Sequence, residues 1–341
     1  MTVISGRAMQ VAGPGGAFAP VRHEVPDPGP GQARVTIEAC GVCHSDADII
    51  AAHFPGISFP VIPGHEIGGR IESLGPGVQG WRPGDRVAVG WYGGSDGYCD
   101  ACREGDGINC PHLQIPGIAY PGGYADAIVV PDMALAHIPD GLKTAEAAPL
   151  ACAGVTVYNA LRRSDARPGD LVAILGLGGL GHLAVQFAAH MGFRTVAIAR
   201  GGDKAGLAHE LGADHYIDST ATDPATALQE LGGAKVVLAT IPNAQAMSAT
   251  IDGLGRHGEL IVIGVTPDEV GATGGQLITG MKRISGHASG TSMDVEYTLR
   301  FAEQTGVRPW IEETPLEEAQ ASFDKMMSGA ARFRMVLITG N

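Results

Sequence analysis

Hydrophobic and polar positions follow two different periods along this chain, and the change falls near Leu150. Before it, residues 33–39 (ARVTIEA) alternate apolar and polar side chains with the period of a half-buried strand, and residues 69–74, 85–91 and 124–130 repeat the pattern. Turns rich in glycine and proline separate these segments. The first part of the chain therefore predicts a barrel-like or sandwiched β domain.

After Leu150, buried apolar runs alternate with amphipathic helices, a pattern typical of a doubly wound parallel sheet that binds ligands at its carboxyl edge. The predicted strands are 171–175, 195–199, 215–218, 236–240 and 260–264, and helices are predicted after Gly181, from Asp203 and from Ala244. Two helical stretches (295–304 and 317–327) and a last strand (334–339) follow. This tail is too short for a core of its own, so we expect it to return to the first domain or to cap the second.

A glycine turn joins the first of these parallel strands to its helix. Gly176, Gly178 and Gly181 have the G-x-G-x-x-G spacing, with Gly179 and Leu180 completing the turn. The first glycine permits a tight turn, the second lets a pyrophosphate approach the backbone, and the third lets helix and strand pack closely. With 51 glycines in the chain the spacing alone is weak, but the flanking strand and helix indicate a dinucleotide site.

The end of the second parallel strand predicts which cofactor binds, because NAD enzymes usually place an acid there for the ribose 2′-hydroxyl. Here the strand ends in Ala199 and Arg200, and a guanidinium suits a 2′-phosphate. NADP is favoured. Asp203 is the acidic alternative that favours NAD, although it resembles an N-terminal helix residue beside Lys204. Two further cofactor contacts are expected at Gly264 and Val265.

The bulk composition excludes several classes of protein. The chain has 341 residues, 45% hydrophobic and 17% charged, and a length that predicts two domains. A formal charge of −13 without a basic cluster argues against a nucleic-acid partner. We find no export segment and no run of 18 apolar residues, so we expect a cytoplasmic protein without a membrane partner. Its six cysteines are then better explained as metal ligands and thiols than as a disulfide framework.

Three of the candidate metal ligands lie far apart in sequence: Cys43, His65 and Cys152. Their separation excludes a compact zinc finger but suits a catalytic zinc site, in which three protein ligands leave one position open. Taken singly, each has another interpretation, since a buried cysteine behaves as a small hydrophobe and a lone histidine is usually structural. We interpret Cys40 in that way.

A second group of candidate ligands lies within one short segment. Cys99 and Cys102 form a C-x-x-C pair, and Cys110 follows eight residues later, a spacing typical of structural zinc. Asp96 is the expected fourth ligand. The alternative is a disulfide, which a cytoplasmic location disfavours.

Four stretches in this order, CGVCHSD, PGHEIGG, PLACAGVTVYNAL and LGLGGLGHLAVQ, resemble the zinc-dependent alcohol dehydrogenases of the medium-chain dehydrogenase/reductase superfamily. The likeness covers nearly the whole chain. It implies an α/β protein with a GroES-like β-barrel catalytic domain (1–150 and 288–341), a Rossmann domain with a doubly wound parallel sheet for NAD(P) (151–287), and a catalytic zinc between them.

The resemblance also implies roles for individual residues near the zinc. The catalytic ligands fall on Cys43, His65 and Cys152, and two acidic neighbours of the metal fall on Asp46 and Glu66. Zinc held in this way polarises an alcohol oxygen and lowers its pKa, so that hydride can leave the carbon for a nicotinamide ring.

Other roles concern proton transfer and the cofactor. Ser45 falls on the hydroxyl that bonds the substrate oxygen, and His44 and Arg334 fall on residues that contact the cofactor pyrophosphate. Many relatives place a proton-relay histidine five residues after the first zinc cysteine, whereas this chain has Asp48. The relay must then end in Asp48, a water chain, or another group such as His53.

A further departure lies in the second cysteine group, where relatives commonly have four cysteines and this chain begins with Asp96. An S3O ligand set should hold zinc less tightly than four thiolates. By resemblance, Phe54, Trp91 and Ile118 line an apolar pocket over the catalytic zinc, although plain core packing explains them as well.

We therefore predict a zinc-dependent alcohol dehydrogenase and aldehyde reductase that acts on primary or aromatic alcohols with NADP(H). We expect a homo-oligomer, a dimer or a tetramer. The alternatives are an NAD-dependent enzyme of the same family, a zinc-free quinone or enoyl reductase, and a dinucleotide-binding protein without catalysis. The three separated zinc ligands would have no use in the last two.

Overall fold

The computed structural model describes residues 3–340, which divide into two compact units. One unit comprises the described residues up to Val155 together with those from Ser289 onward, and the other comprises Thr156–Ala288. The strands, numbered along the chain, are β1 (Ile4–Val11), β2 (Phe18–Val25), β3 (Gln32–Gly41), β4 (Ile67–Leu74), β5 (Arg86–Val89), β6 (Ala127–Pro131), β7 (Ala136–His137), β8 (Leu171–Leu175), β9 (Arg194–Ala199), β10 (His215–Asp218), β11 (Ala234–Ala239), β12 (Leu254–Val262), β13 (Arg283–Gly286), β14 (Ile311–Pro315) and β15 (Arg334–Ile338).

Helices connect these strands, and one of them contains a wider π-helical turn at Leu150–Gly154. The α-helices are α1 (His44–Ile50), α2 (Asp100–Arg103), α3 (Thr144–Pro149), α4 (Val155–Arg163), α5 (Gly181–His190), α6 (Ala205–Glu210), α7 (Pro224–Glu230), α8 (Ala244–Ala249), α9 (Gly274–Ile278), α10 (Ser292–Thr305) and α11 (Ala319–Met327). No helix of the described residues is long and apolar enough to cross a membrane.

The first unit contains a mostly antiparallel seven-stranded sheet and the β1–β2 pair. The sheet order is β14-β15-β3-β4-β5-β7, with β6 beside β3. Strand β15 lies antiparallel to β3, with Val336 opposite Gly41, so the tail returns to this sheet as expected. Alternate side chains of these strands form one apolar core that includes Ile37, Ile67 and Leu337.

Several predicted strand boundaries in this unit are wrong, and two of them depend on close contacts of the backbone. Strand β5 ends at Val89 rather than at Trp91, because Gly90 lies so close to Ala151 that a Cβ on it would stand 2.1 Å from the Ala151 carbonyl oxygen. Strand β6 begins at Ala127 rather than at Tyr124, whose N–H donates to the Pro63 carbonyl at 3.0 Å, outside the ladder. Strands β1 and β2 were not predicted, because most of their side chains are partly or fully exposed and leave only a weak apolar pattern.

The second unit is the predicted doubly wound sheet. Its six strands are all parallel, in the order β10-β9-β8-β11-β12-β13. The order reverses at β8, so the crevice that such a sheet offers to a ligand lies at the carboxyl end of this strand. The helix expected from Asp203 begins as a 3-10 turn at Gly202–Lys204 before α6, and α7 and β13 were not predicted.

Candidate active site

The three separated candidate ligands meet in the first unit. Cys43 lies directly before α1, His65 precedes β4, and Cys152 lies in the π-helical turn, where the wider winding is frequent at functional sites. One potential ligand atom from each of these residues, and one from Glu66, lie within 4.8 Å of one another, and all four residues are buried. The fold therefore gathers two sulfurs, one imidazole and one carboxylate in a closed space.

His65 is prepared to bind a metal on one side of its ring. The Nδ1 atom lies 3.0 Å from Asp46 Oδ1, whereas Nε2 is fully buried and has no hydrogen-bond partner among the described residues. Metal-ligating histidines almost always donate their other ring nitrogen to a carboxylate or carbonyl, which fixes the ring and its tautomer. An unpartnered buried nitrogen beside two cysteines fits a zinc ion.

Asp46 is itself held by three other donors. Its carboxylate accepts from the backbone N–H of Cys43 at 2.9 Å, from that of Gly64 at 3.3 Å and from the Tyr124 hydroxyl at 3.0 Å. Because the side chain is fully buried, these bonds compensate its lost hydration. The role of Tyr124 could not be found in the sequence, since the hydroxyl reaches a residue 78 positions away.

Glu66 forms a buried ion pair with Arg334 next to the ligand cluster. Burial raises the pKa of Glu66 to about 7, and the guanidinium of Arg334 opposes this rise. The second carboxylate oxygen, Oε2, is buried and has no hydrogen-bond partner within the described part of the chain. A Cβ on Gly41 would stand 2.0 Å from this oxygen, so only glycine leaves room for Glu66 to point toward the cluster. The predicted contact of Arg334 with a pyrophosphate stays a prediction.

The two cluster thiols interact with each other. A hydrogen bond from Cys152 lowers the pKa of Cys43 well below its ordinary value, and the nearby positive charges of His65 and Arg334 act in the same direction. The same contact raises the pKa of Cys152. Both cysteines would bind zinc as thiolates, because the thiolate is the form of cysteine that binds metals.

Polar residues on α1 lie beside the cluster and lead away from it. Ser45 Oγ is 3.9 Å from Cys43 Sγ, and the serine is half-buried. Asp48 Oδ1 lies 3.0 Å from His53 Nδ1, and the histidine side chain is 67% exposed. His44, the first residue of α1, is exposed.

Aromatic side chains cover the histidine of the cluster. The ring of Trp91 meets His65 edge-on, with centroids 4.9 Å apart and planes at 89°, and Phe54 contacts Trp91 with centroids 5.5 Å apart. Ile118 is half-buried against the apolar core of the first unit, as is Phe54. The place of Ile118 in a substrate pocket stays a prediction.

The second candidate metal group forms a separate lobe, defined by Asp96, Cys99, Cys102 and Cys110. One ligand atom from each lies within 4.8 Å of the others, and only Cys110 is fully buried. Asp96 Oδ1 accepts the N–H groups of Tyr98 and Cys99, both at 3.0 Å, which lowers the pKa of Asp96. Its Oδ2 is buried, has no hydrogen-bond partner in residues 3–340, and is the oxygen available to a metal.

The glycine turn after β8 has the three properties expected of a dinucleotide site. Gly176 has φ +106°, and a Cβ on it would stand 2.4 Å from Ile241 Cγ2. A Cβ on Gly181 would stand 1.9 Å from the Gly176 carbonyl oxygen, whereas one on Gly178 would meet no protein atom within 4 Å. The helix thus packs closely on the strand while the middle of the turn, with Gly179 and Leu180, stays open to a ligand.

The remaining predicted cofactor residues lie along the carboxyl edge of the same sheet. Ala199 is buried at the end of β9, and Arg200 is exposed and makes no hydrogen bond or ion pair with any described residue. Lys204 is half-buried in the 3-10 turn. Gly264 lies after the end of β12 and packs so closely against Ile241 that a Cβ would not fit. The next residue, Val265, is 83% exposed.

Comparisons with known proteins agree with this geometry. Residues 29–140 match the family of the alcohol dehydrogenase GroES-like domain, and residues 179–304 match the zinc-binding dehydrogenase family. The alcohol dehydrogenase patD of Penicillium expansum is 43% identical over 303 residues, covering 89% of this chain and 88% of that protein.

Solved structures give the same result. The CAD of Helicobacter pylori, in complex with NADP(H), has a TM-score of 0.88 at 26% identity and covers 99% of both chains. Acetophenone reductase from Geotrichum candidum, in complex with NAD, has a TM-score of 0.86 at 27% identity, covering 98% of this chain and 97% of that one.

The chain belongs to the zinc-dependent alcohol dehydrogenases of the medium-chain dehydrogenase/reductase superfamily. The predicted α/β fold class, with a GroES-like domain and a Rossmann sheet, is confirmed, as is the predicted class of enzyme, an NAD(P)-dependent alcohol dehydrogenase.

Proposed function

We propose that this alcohol dehydrogenase is an NADP(H)-dependent enzyme that interconverts primary or aromatic alcohols and their aldehydes. The first unit is the catalytic domain and Thr156–Ala288 the cofactor domain. The observation that carries the cofactor choice is the end of β9, where Ala199 occupies the position of the usual acid and Arg200 is exposed and pairs with none of the described residues.

Cys43, His65 and Cys152 would hold the catalytic zinc, with Asp46 fixing the His65 ring and Glu66 beside the metal. When bound there, zinc would act as a Lewis acid on the alcohol or carbonyl oxygen, and the nicotinamide would exchange hydride with the substrate carbon. Ser45 would bond the substrate oxygen and pass its proton toward solvent. The surface pair of Asp48 and His53 would receive that proton, because its hydrogen bond leads from α1 to an exposed imidazole.

The lobe around Asp96 would hold a second, structural zinc. Its four candidate ligands leave no open position if all of them bind, which is typical of structural rather than catalytic sites.

The preference for NADP(H) follows from charge. A carboxylate at the end of β9 would repel a 2′-phosphate, whereas Arg200 can form a charge-assisted hydrogen bond with it, which contributes about 1.5–3 kcal/mol. At about 1.4 kcal/mol per tenfold, one such bond corresponds to roughly ten- to a hundredfold in affinity.

The experiment compares kcat/KM for NADPH and NADH in the wild type, Arg200→Ala and Ala199→Asp. Arg200→Ala should reduce kcat/KM for NADPH by about ten- to a hundredfold and that for NADH little. The double variant Arg200→Ala/Ala199→Asp should prefer NADH over NADPH. Arg194→Ala is the matched control, because Arg194 is equally exposed but lies at the opposite end of β9. A wild type that prefers NADH, or equal losses with both cofactors, would contradict the proposal.

The preference for apolar or aromatic substrates rests on the ring of Trp91, which meets His65 edge-on, and on Phe54, which contacts Trp91. Trp91→Ala should lower kcat/KM for benzyl alcohol far more than for ethanol, since only the larger substrate loses apolar contact area. Equal effects on both alcohols would indicate that Trp91 only packs the core.

A further inference from the structure

The loop that presents Arg200 is held at its next residue, Gly201, from both sides. The Gly201 N–H donates to Asp218 Oδ1 at 2.9 Å, and the Gly201 carbonyl accepts from the Tyr216 hydroxyl at 2.5 Å. Both partners lie on β10, the strand beside β9, where Asp218 is opposite Ala199 in register. The main chain directly after Arg200 therefore has its donor and its acceptor fixed by side chains of the neighbouring strand.

The conformation held in this way is one that only glycine adopts easily. Gly201 has φ +87°, and a Cβ on it would stand 2.6 Å from Asp203 Oδ1. The two side-chain bonds favour this conformation among the many that glycine can reach. The two bonds therefore select one path for the loop that leads from Arg200 to Lys204.

The carboxylate of Asp218 accepts hydrogen bonds from more than one donor. The same Oδ1 also accepts the Thr220 hydroxyl at 2.7 Å and the Thr220 N–H at 2.9 Å. These bonds, the hydroxyl first, lower the pKa of Asp218, so the carboxylate stays ionised while its charge is compensated. A carboxylate occupied by three donors repels a nearby phosphate less than a free one would.

We propose that Tyr216 and Asp218 are positioning residues that fix the Arg200 loop and thereby set the selectivity for the 2′-phosphate of the cofactor. The proposal rests on the proposed NADP(H) preference. No residue that the structure describes pairs with the Arg200 side chain, so a fixed backbone lowers the cost of ordering its guanidinium when the phosphate binds. The opposite possibility is that Asp218 replaces the missing acid at Ala199 and bonds a ribose 2′-hydroxyl, which would favour NAD.

The test uses Tyr216→Phe, Asp218→Ala and Asp218→Asn, each measured for NADPH and NADH by steady-state kinetics and by fluorescence titration of the reduced cofactor. Losing one hydrogen bond to the loop should raise KM and Kd for NADPH about three- to tenfold in Tyr216→Phe and Asp218→Ala, with kcat and the values for NADH nearly unchanged. Asp218→Asn keeps the acceptor oxygen but removes the charge, so it should stay within about twofold of the wild type.

The decisive comparison measures Tyr216→Phe both in the wild type and in the Arg200→Ala variant. Because Tyr216 acts on NADPH only through Arg200, Tyr216→Phe should have no further effect when Arg200 is already alanine. An effect of Tyr216→Phe that is equal in both backgrounds, or equal for NADPH and NADH, would overturn the proposal. If Asp218→Asn lowered the affinity for NADH and raised that for NADPH, the proposal would be overturned. Asp218 would then be the acid that bonds the ribose 2′-hydroxyl.

Failure of this inference differs from failure of the proposed function. A wild type that prefers NADH refutes the proposed cofactor, whereas a wild type that prefers NADPH but is insensitive to Tyr216→Phe and Asp218→Ala refutes only the positioning role. Thermal unfolding of each variant shows whether it is folded. If Asp218→Ala does not fold, the kinetics of Tyr216→Phe alone decide whether the positioning role is correct.

Discussion

The two metal groups of this protein are built in opposite ways. The ligands of the lobe lie between residues 96 and 110, so one short segment brings them together, and most of them remain partly exposed. The proposed catalytic ligands come from three distant segments, are buried, and lie beside further buried groups such as Asp46 and Arg334. A local group can form with little help from the fold, whereas the catalytic group exists only when the first unit is folded.

This difference predicts how each group responds to perturbation. The catalytic group should be sensitive to any change in its ligands or in the residues that hold them, with the effect seen in turnover. The lobe should tolerate exchange of its weakest ligand, with the effect seen in stability.

The largest effect is expected from Cys152→Ala, which removes one of the three catalytic ligands. Lewis-acid stabilisation is worth several kcal/mol, so turnover should fall by about a thousandfold or more. Zinc analysis should find about one ion fewer per chain. Cys40→Ala is the matched control, because Cys40 is buried in the same unit but stands outside the cluster, and it should keep both zinc and turnover. Undiminished turnover by a zinc-free Cys152→Ala protein would refute the site.

A smaller effect is expected from Asp46→Asn, which weakens the bond that orients His65. Loss of such a partner typically lowers metal affinity or activity about ten- to a hundredfold. Metal dissociation and kcat should both report it. Tyr124→Phe removes only a donor to the same carboxylate and should cost less. If Tyr124→Phe were the more damaging of the two, Asp46 would not be the residue that positions the ring.

The smallest effect on activity is expected from Asp96→Cys in the lobe. A fourth thiolate should bind zinc more tightly than the carboxylate, and each kcal/mol gained should raise Tm by about 2–4 °C. Turnover should stay within about twofold of the wild type. If the variant lost most of its activity but kept its zinc and its fold, the lobe would take part in catalysis.

The second unit contains two strands whose bounds the sequence predicted correctly, for a physical reason. Its buried parallel strands are continuous apolar runs, and 171–175 and 215–218 coincide with β8 and β10. In the first unit, the ends of β5 and β6 depend on close backbone contacts at Gly90 and Tyr124 that leave no local pattern.

The candidate site shows the same limit. The motifs around Cys43, His65 and Cys152 could be recognised, but the groups that hold the ligands join residues far apart, as Arg334 and Glu66 do across 268 positions. The bonds of Tyr216 and Asp218 to Gly201 were also beyond reach, because they depend on the register of β10 against β9.

One measurement tests the contrast between the two groups most directly: turnover followed as a chelator removes zinc in steps, with bound zinc counted in the same samples. The exposed lobe, with its carboxylate ligand, should lose its zinc first, so turnover should persist until about one ion per chain remains and disappear with that last ion. Added zinc should restore it. Turnover that falls in proportion to the first zinc lost, or that survives the loss of both, would contradict the assignment of catalysis to Cys43, His65 and Cys152.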